Sequence, residues 1–263
     1  MRLIIVGPGR AGGAIALAAA RAGHDLAGVL SRTGDTTYGP ALGWEQPLPA
    51  SDLLLIAVRD DAIEKVSARI SPHAGAVAVA AHLSGFTPVT ALGDLARAGI
   101  PTGGFHPLQT LPDPELGAAA LTGAFVGVGG DPTAVETLSR FGVSLGMTPF
   151  PLADDSRPGY HAGAAAAANF VITALATAGD LMRAALVDPL VTRPLVERAV
   201  SNLYETGPGS ALTGPIARGD ISTVMGQLAA AGQVSDAVGE QYRLMAEATA
   251  IRAGRKGDVG KWS

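Results

Sequence analysis

Three features of the sequence predict an α/β fold, with a doubly wound parallel sheet over residues 1–152 and an all-helical domain over 153–263. Short, wholly apolar runs alternate with helical segments up to about residue 152. A glycine-rich turn joins the first run to the first helix, and no convincing strand follows Asp154–Gly159.

Leu3–Val6 has the character of a strand buried on both faces. Ala14–Ala22 follows as a helix, with Gly23 where a C-terminal cap belongs. Leu26–Leu30 and Leu53–Val58 read as the second and third strands, on either side of a loop rich in Gly, Thr and Pro. Asp60–Ile70 places Ile63, Val66 and Ile70 on one helical face. Ala76–Ala80 reads as a buried strand, Val89–Ala98 as a helix and Pro101–Phe105 as a strand edge. Phe125–Val128, a helix at Thr133–Phe141 and a strand near Thr148–Leu152 continue the alternation. The helical domain reads as one long helix, Tyr160–Val187, then Pro194–Thr206, Asp220–Ala231 and Ser235–Ala253, with Asp220 and Ser235 as N-caps. The tail Gly254–Ser263 is expected to be loose.

With 48% hydrophobic and 16% charged residues, the chain can bury a sizeable core and disorder is not expected. A net charge of -4 with scattered Lys and Arg builds no basic face for nucleic acid or an anionic membrane. The chain has no cysteine, which removes disulfides, thiol nucleophiles and Cys-type zinc sites and suits a cytoplasmic protein. The start of the chain is small and apolar, but Gly7-Pro8-Gly9-Arg10 breaks any signal-peptide core. Ala162–Gly179 carries no charge, yet it is mostly alanine broken by Asn169, Thr173 and Thr177. It is expected to be a buried helix, covered in a homodimer built on Tyr160–Val187, rather than a membrane span.

The first turn reads Gly7-Pro8-Gly9-Arg10-Ala11-Gly12. In a glycine-rich chain the G-x-G-x-x-G spacing means little, but its location between the first strand and first helix is that of a Rossmann dinucleotide site. The first glycine makes the turn, the second admits the pyrophosphate and the third lets helix and strand pack closely. The second strand ends in Ser31-Arg32-Thr33, where an NAD site would carry Asp or Glu. A guanidinium and two hydroxyls suit a 2'-phosphate, so NADP(H) is the expected cofactor. Val58 and Arg59, ending the third strand, are expected to pass beside it.

Hydride transfer to a carbonyl or imine needs a proton donor at the developing anion. His106 is placed by a strand edge and a following proline at the carboxyl end of the sheet, and is either that donor or a structural histidine. His161 and Asn169 lie two helical turns apart on one broad face. His161 is a second donor candidate or a helix cap, and Asn169 reads as a buried amide that needs partners. Thr213 and Arg218 lie in a loop entering a helix, where Arg218 could grip a substrate carboxylate or brace its own loop with Asp220. No metal site is expected, since the histidines have no acidic partners at ligand spacing.

Taken in order, the motifs resemble a known group. They are the glycine turn, Ser31-Arg32, His82-Leu83-Ser84-Gly85, Phe105-His106-Pro107-Leu108-Gln109-Thr110, Tyr160-His161-Ala162 with Asn169-Phe170, and Leu212 through Asp220. The chain resembles candidate oxidoreductases that join a Rossmann-like domain to a C-terminal helical domain of unknown function. It is more distantly similar to pyrroline-5-carboxylate reductase, ketopantoate reductase and the β-hydroxyacid dehydrogenases. The resemblance implies a small-molecule substrate held between the two domains. By analogy Ser84 contacts substrate or nicotinamide. The dehydrogenases' catalytic lysine falls on Ala165, a small residue that leaves room for His161 or Tyr160 to reach the substrate. The expected activity is NADP(H)-dependent reduction of a small, ketopantoate-like oxo acid or a cyclic imine. The alternatives are a non-catalytic NADP(H)-binding regulator and a β-hydroxyacid dehydrogenase working in the oxidative direction.

Overall fold

The computed structural model describes residues 1–34 and 37–262. Its seven strands are β1 (Arg2–Val6), β2 (Asp25–Leu30), β3 (Leu53–Ile56), β4 (Ala80–His82), β5 (Thr102–Leu108), β6 (Phe125–Gly130) and β7 (Thr148–Pro151). They form one sheet in the order β2-β1-β3-β4-β5-β6-β7. The chain leaves β1 in opposite directions towards β2 and β3, so the ligand crevice of such a sheet opens at the carboxyl ends of β1 and β3.

The sheet is mixed rather than parallel throughout. β1 to β5 run parallel, but β6 pairs antiparallel with β5, and β7 follows β6. An apolar run reports burial, not direction. The β5–β6 ladder also pairs Gly103 with Gly130 and Gly104 with Gly129, which leaves no side-chain pattern to read.

Helices α1 (Arg10–Arg21), α2 (Ile63–Ile70), α3 (Gly93–Arg97), α4 (Pro114–Leu121) and α5 (Pro132–Ser144) accompany the sheet. The alternation of apolar runs did not reveal α4, although Asp113-Pro114-Glu115 is a helix start. The Asp113 carboxylate accepts from Leu116 N at 2.9 Å and proline occupies the first turn. One face of the sheet is closed by Leu3, Ile5, Leu53, Leu55, Phe105 and Phe141, and the other by Ile4, Val6, Leu54, Ile56, Ile63 and Leu92. Ala76–Ala80 is a strand only from Ala80 onward, with an isolated bridge between Ser51 and Val77 before it.

The chain divides into two compact units, Met1–Ala165 and Ala166–Ser263, later than the 152/153 boundary suggested by the last strand. The first unit keeps α6 (Arg157–Ala165) because Arg157 is buried within it. The helical backbone continues through a π turn, Ala166–Phe170, into α7 (Val171–Ala184) of the second unit. That unit adds α8 (Arg193–Thr206), α9 (Pro208–Ala211), α10 (Pro215–Arg218), α11 (Ile221–Val234) and α12 (Asp236–Arg252). The Asp220 carboxylate accepts from Thr223 N, and Ser235 Oγ accepts from Val238 N, so both act as N-caps.

One expectation fails here and one is refined. The end of the chain is not loose: Lys256–Lys261 forms a 3-10 helix in which Asp258 pairs with Arg255 and Lys261, while Ser263 lies outside the described residues. The second concerns the alanine-rich helix, which this chain alone does not bury, so the expected cover must come from a second copy. By length and composition Asp154–Ala184 could cross a membrane, yet only 11% of its most apolar window is buried in this chain. Phe170 is 69% exposed and Ile172 61%. Alanine supplies too little side chain to draw neighbouring helices over it.

Candidate active site

The cleft at the carboxyl ends of β1, β2 and β3 is a cavity of about 580 Å³ bordered by Gly7, Gly9, Ser31, Arg32, Val58 and Arg59, with Pro8 and Thr33 also at its edge. Gly7 turns with a φ of +86°, and a Cβ on Gly12 would stand 2.2 Å from the Gly7 carbonyl oxygen, so the turn closes only with glycine. A Cβ on Gly9 would meet nothing within 4 Å, which leaves backbone open towards an approaching phosphate. Arg10 and Ala11 begin α1, whose amino end carries the positive pole. The residues therefore fit a dinucleotide.

The far side of the cleft contains residues that sequence reasoning missed. Trp44, Lys65 and Arg69 line it together with Arg32 and Arg59. Trp44 Nε1 donates to the Ser31 carbonyl at 3.0 Å, and Arg69 stacks over the indole at 4.6 Å while pairing with Glu45. Among the described residues, exposed Arg32 and Lys65 form no hydrogen bond or ion pair. Positive charge without a protein partner, at the end of β2, is what a 2'-phosphate would find. Lys65 lies in the first turn of α2 and Arg69 one turn further, a spacing readable in the sequence once α2 is known to border the cleft.

A second group of polar side chains lies farther along the same sheet edge. His82 ends β4 opposite Gly104, two residues before His106 in β5, and the Ser84–Gly85 loop that follows lies against the His106 ring. The Ser84 hydroxyl donates to Asp60 at 2.8 Å and accepts from the backbone N–H groups of Phe86 and Thr87. It is buried and committed to shaping its own loop, so it is a positioning group rather than the substrate contact that analogy implied. Buried His82 accepts from Ser84 N at 3.2 Å, and burial, helped by the Arg157 charge, pushes its pKa down to about 4.

His106 Nδ1 lies 2.6 Å from the Tyr160 hydroxyl, a hydrogen bond joining β5 to α6. The two rings meet edge to face, and His161 packs against both His106 and Phe86. A Cβ on Gly85 would lie 2.8 Å from the His106 ring, so the imidazole rests directly on that glycine. Burial, with the charges of His161 and Arg157, pushes the pKa of His106 down to about 4, against a smaller pull from Asp60. Burial thus disfavours the imidazolium form of His106, and with it the first of the two roles, proton donor or structural histidine, that the sequence suggests. Burial pushes Tyr160 up to about 12, so the phenol keeps its proton.

The remaining expected residues lie in the second unit. Asn169 is exposed, not buried, and sits in the π turn, where its carbonyl accepts from the Thr173 hydroxyl at 3.0 Å. The apolar neighbours that suggested a buried amide are themselves largely exposed. Arg218 donates to the Thr213 carbonyl at 2.6 Å, so the arginine braces its own loop. Among the described residues no cluster of His, Asp and Glu could hold a metal ion.

Several solved structures share this fold. Residues 124–249 match a family model described as a domain of unknown function, DUF2520. A candidate NADP oxidoreductase of Bacteroides fragilis superposes with a TM-score of 0.78 at 18% identity, covering 95% of this chain and 98% of that one. The Streptomyces aurantiacus imine reductase gives 0.67 at 16% identity, with 99% of each chain covered. Plasmodium falciparum pyrroline carboxylate reductase, solved with NADP bound, gives 0.63 at 13%, covering 96% of this chain and 98% of that one. No curated protein sequence matches the chain. At these identities the likeness establishes the fold: a Rossmann-like sheet followed by a helical region.

Proposed function

We propose that the protein is an NADPH-dependent reductase that reduces a small C=N or C=O substrate, with Tyr160 as proton donor and His106 as the group that orients it. The observation that carries this reading is the 2.6 Å His106–Tyr160 bond, seated on Gly85 at the carboxyl end of the sheet that also forms the dinucleotide cleft. NADPH, when bound, supplies the hydride that reduces the substrate carbon.

The protein supplies the proton and its geometry. With its own proton on Nδ1, His106 donates to the phenol oxygen and leaves the Tyr160 O–H free to face the substrate. As the substrate nitrogen or oxygen takes that proton, the Nδ1–H bond stabilises the developing phenolate, which water then reprotonates. A neutral imidazole can hold this role over the whole physiological range. Tyr160 lies five residues before Ala165, the lysine position of the similar dehydrogenases, so this chain has a donor on the same helix without that lysine.

The exposed charged group that bears on the pair is the Asp60 carboxylate, whereas Arg157 is buried. Of the two, Arg157 bears on the imidazole more strongly, and both an imine and a small oxo acid stand as substrates. A screen of NADPH consumption against cyclic imines and small oxo acids tests the reading. Turnover of an imine or oxo acid that is lost in Tyr160→Phe supports it. NADPH binding with no turnover of any such substrate would favour the non-catalytic regulator. The exposed apolar faces of α7 and α8 support a homodimer as the working form.

A further inference from the structure

We propose that Arg157 is a positioning residue that ties the Ser84–Gly85 loop to the first turn of α6, so that His106 and Tyr160 meet in register. The inference rests on reading that pair as the reacting site. Arg157 has 0% exposure, the largest fully buried side chain among the described residues. Its Nε donates to Asp154 Oδ1 at 2.7 Å and its Nη1 to the Ser84 carbonyl at 3.1 Å. Asp154 in turn accepts from Val89 N through its other oxygen at 2.8 Å.

Both surfaces that locate His106 are referenced to this one guanidinium. The carbonyl that Arg157 holds belongs to Ser84, and the next residue, Gly85, is the floor on which the imidazole rests. Tyr160, which bonds the other side of the ring, lies three residues after Arg157 on the same helix, almost one turn along. The fit is tight: a Cβ on Gly104, in the strand that carries His106, would stand 2.1 Å from Arg157 Nη2.

Stability alone does not explain the residue. Nη2 is buried without a hydrogen-bond partner, and a single carboxylate offsets the charge. A buried ion pair of this kind is commonly no better for stability than a well-packed apolar side chain of the same size. What an apolar residue would lose is the grip on the Ser84 carbonyl and a fixed positive charge near the imidazole. The groups bearing on His106 are His161, Tyr160 and Arg157 from α6, Asp60 after β3 and His82 on β4. Arg157 is the permanent cation among them, and it opposes protonation of the ring.

The test uses Arg157→Met and Arg157→Lys in the full chain, with ¹⁵N and ¹³C labels on histidine. Arg157→Met should move the His106 titration up, while burial still holds it below the ordinary histidine range, and displace the Nδ1 resonance that reports the bond to Tyr160. Arg157→Lys, which keeps the charge but not the two-point grip, should displace that resonance while the titration stays low. On a verified substrate both variants should lose about 10²-fold in kcat, the cost of a misplaced donor, with the NADPH dissociation constant unchanged. The inference is overturned if a folded variant of either kind keeps the parent's His106 resonance and titration. The NMR arms need no substrate, so they separate failure of this inference from failure of the proposed reaction. If Arg157→Met does not fold, Arg157→Lys alone decides through its Nδ1 resonance.

Discussion

His106 Nδ1 and the Tyr160 hydroxyl are 2.6 Å apart, although 54 residues separate them in the chain. One comes from the fifth strand of the sheet and the other from the first helix beyond it, so the bond exists only when both are docked. Burial acts oppositely on the two groups, lowering the imidazole to about 4 and raising the phenol to about 12. Both are therefore uncharged at neutral pH, and the bond joins two neutral groups.

Tyr160→Phe should lower kcat by about 10²–10⁴-fold, the usual range for loss of a general acid, and leave NADPH affinity unchanged. His106→Asn should also lose rate, since the phenol loses its orienting partner. The acid limb of kcat in the parent should lie well below pH 6.5, because His106 stays neutral down to about pH 4. Stopped-flow reduction across pH 5–9 measures this. A parent rate that falls as pH rises through 6.5, and still does so in His161→Asn, would mean that His106 titrates normally and acts as the acid itself.

The sequence revealed the cofactor half of the site more fully than the reacting half, for a physical reason. Gly7, Gly9, Gly12 and Arg32 are local to one strand–turn–helix–strand unit, where spacing along the chain is spacing in space. His106 and Tyr160 could each be singled out, but not as partners, because a long-range pairing leaves no periodicity. Arg157 carries no signal in the sequence, where a lone arginine beside a loop reads as solvated. Its burial depends on the space left by Gly104, a residue of another strand. Strand existence was legible from apolar runs, whereas the reversal of β6 was not, because pairing direction is set by the connection and not by composition.

Cofactor preference is a separate test. Arg32→Ala should narrow the gap between NADP(H) and NAD(H) by about 1–3 kcal/mol, the value of a charged hydrogen bond. Lys65→Ala should narrow it in the same direction, since both line one cleft and neither has a protein partner among the described residues. Calorimetry with both cofactors on the parent and the two variants reads it directly. Equal affinity for both cofactors in the parent would remove the claim.

Stability should depend on pH through the buried histidines. His82 and His106 are both lowered to about 4 from an ordinary 6.5, chiefly by burial. Between those values the unfolded chain binds protons that the folded chain refuses, so stability rises with pH in that window. It is fully present above 6.5 and lost progressively as pH falls towards 4. His82→Gln should remove up to about 1.4 kcal/mol per pH unit from that slope, whatever it does to stability at pH 8. Urea unfolding at several pH values measures the slope. An identical slope in the variant would show that His82 titrates normally in the folded protein.

The last prediction concerns the surface of the helical unit. Helix α8 runs for 14 residues without a single buried one, and Leu195 and Tyr204 are 69% and 84% exposed. An isolated helix shorter than about 12–15 residues is marginal in water, so α8 needs packing that this chain does not give it. The neighbouring α7 likewise leaves Val171, Ile172 and Leu175 exposed. Apolar area of this kind marks an interface, and a second copy is the commonest occupant. Light scattering at micromolar concentration should give about twice the 26.4 kDa chain mass. Val200→Asp combined with Leu203→Asp, on the exposed face of α8, should shift the parent towards monomer and lower its helicity, because a charge buried in the interface lacks a partner. A monomeric parent would remove the claim. A parent that sediments with lipid vesicles instead would assign the apolar Asp154–Ala184 helix to a membrane surface.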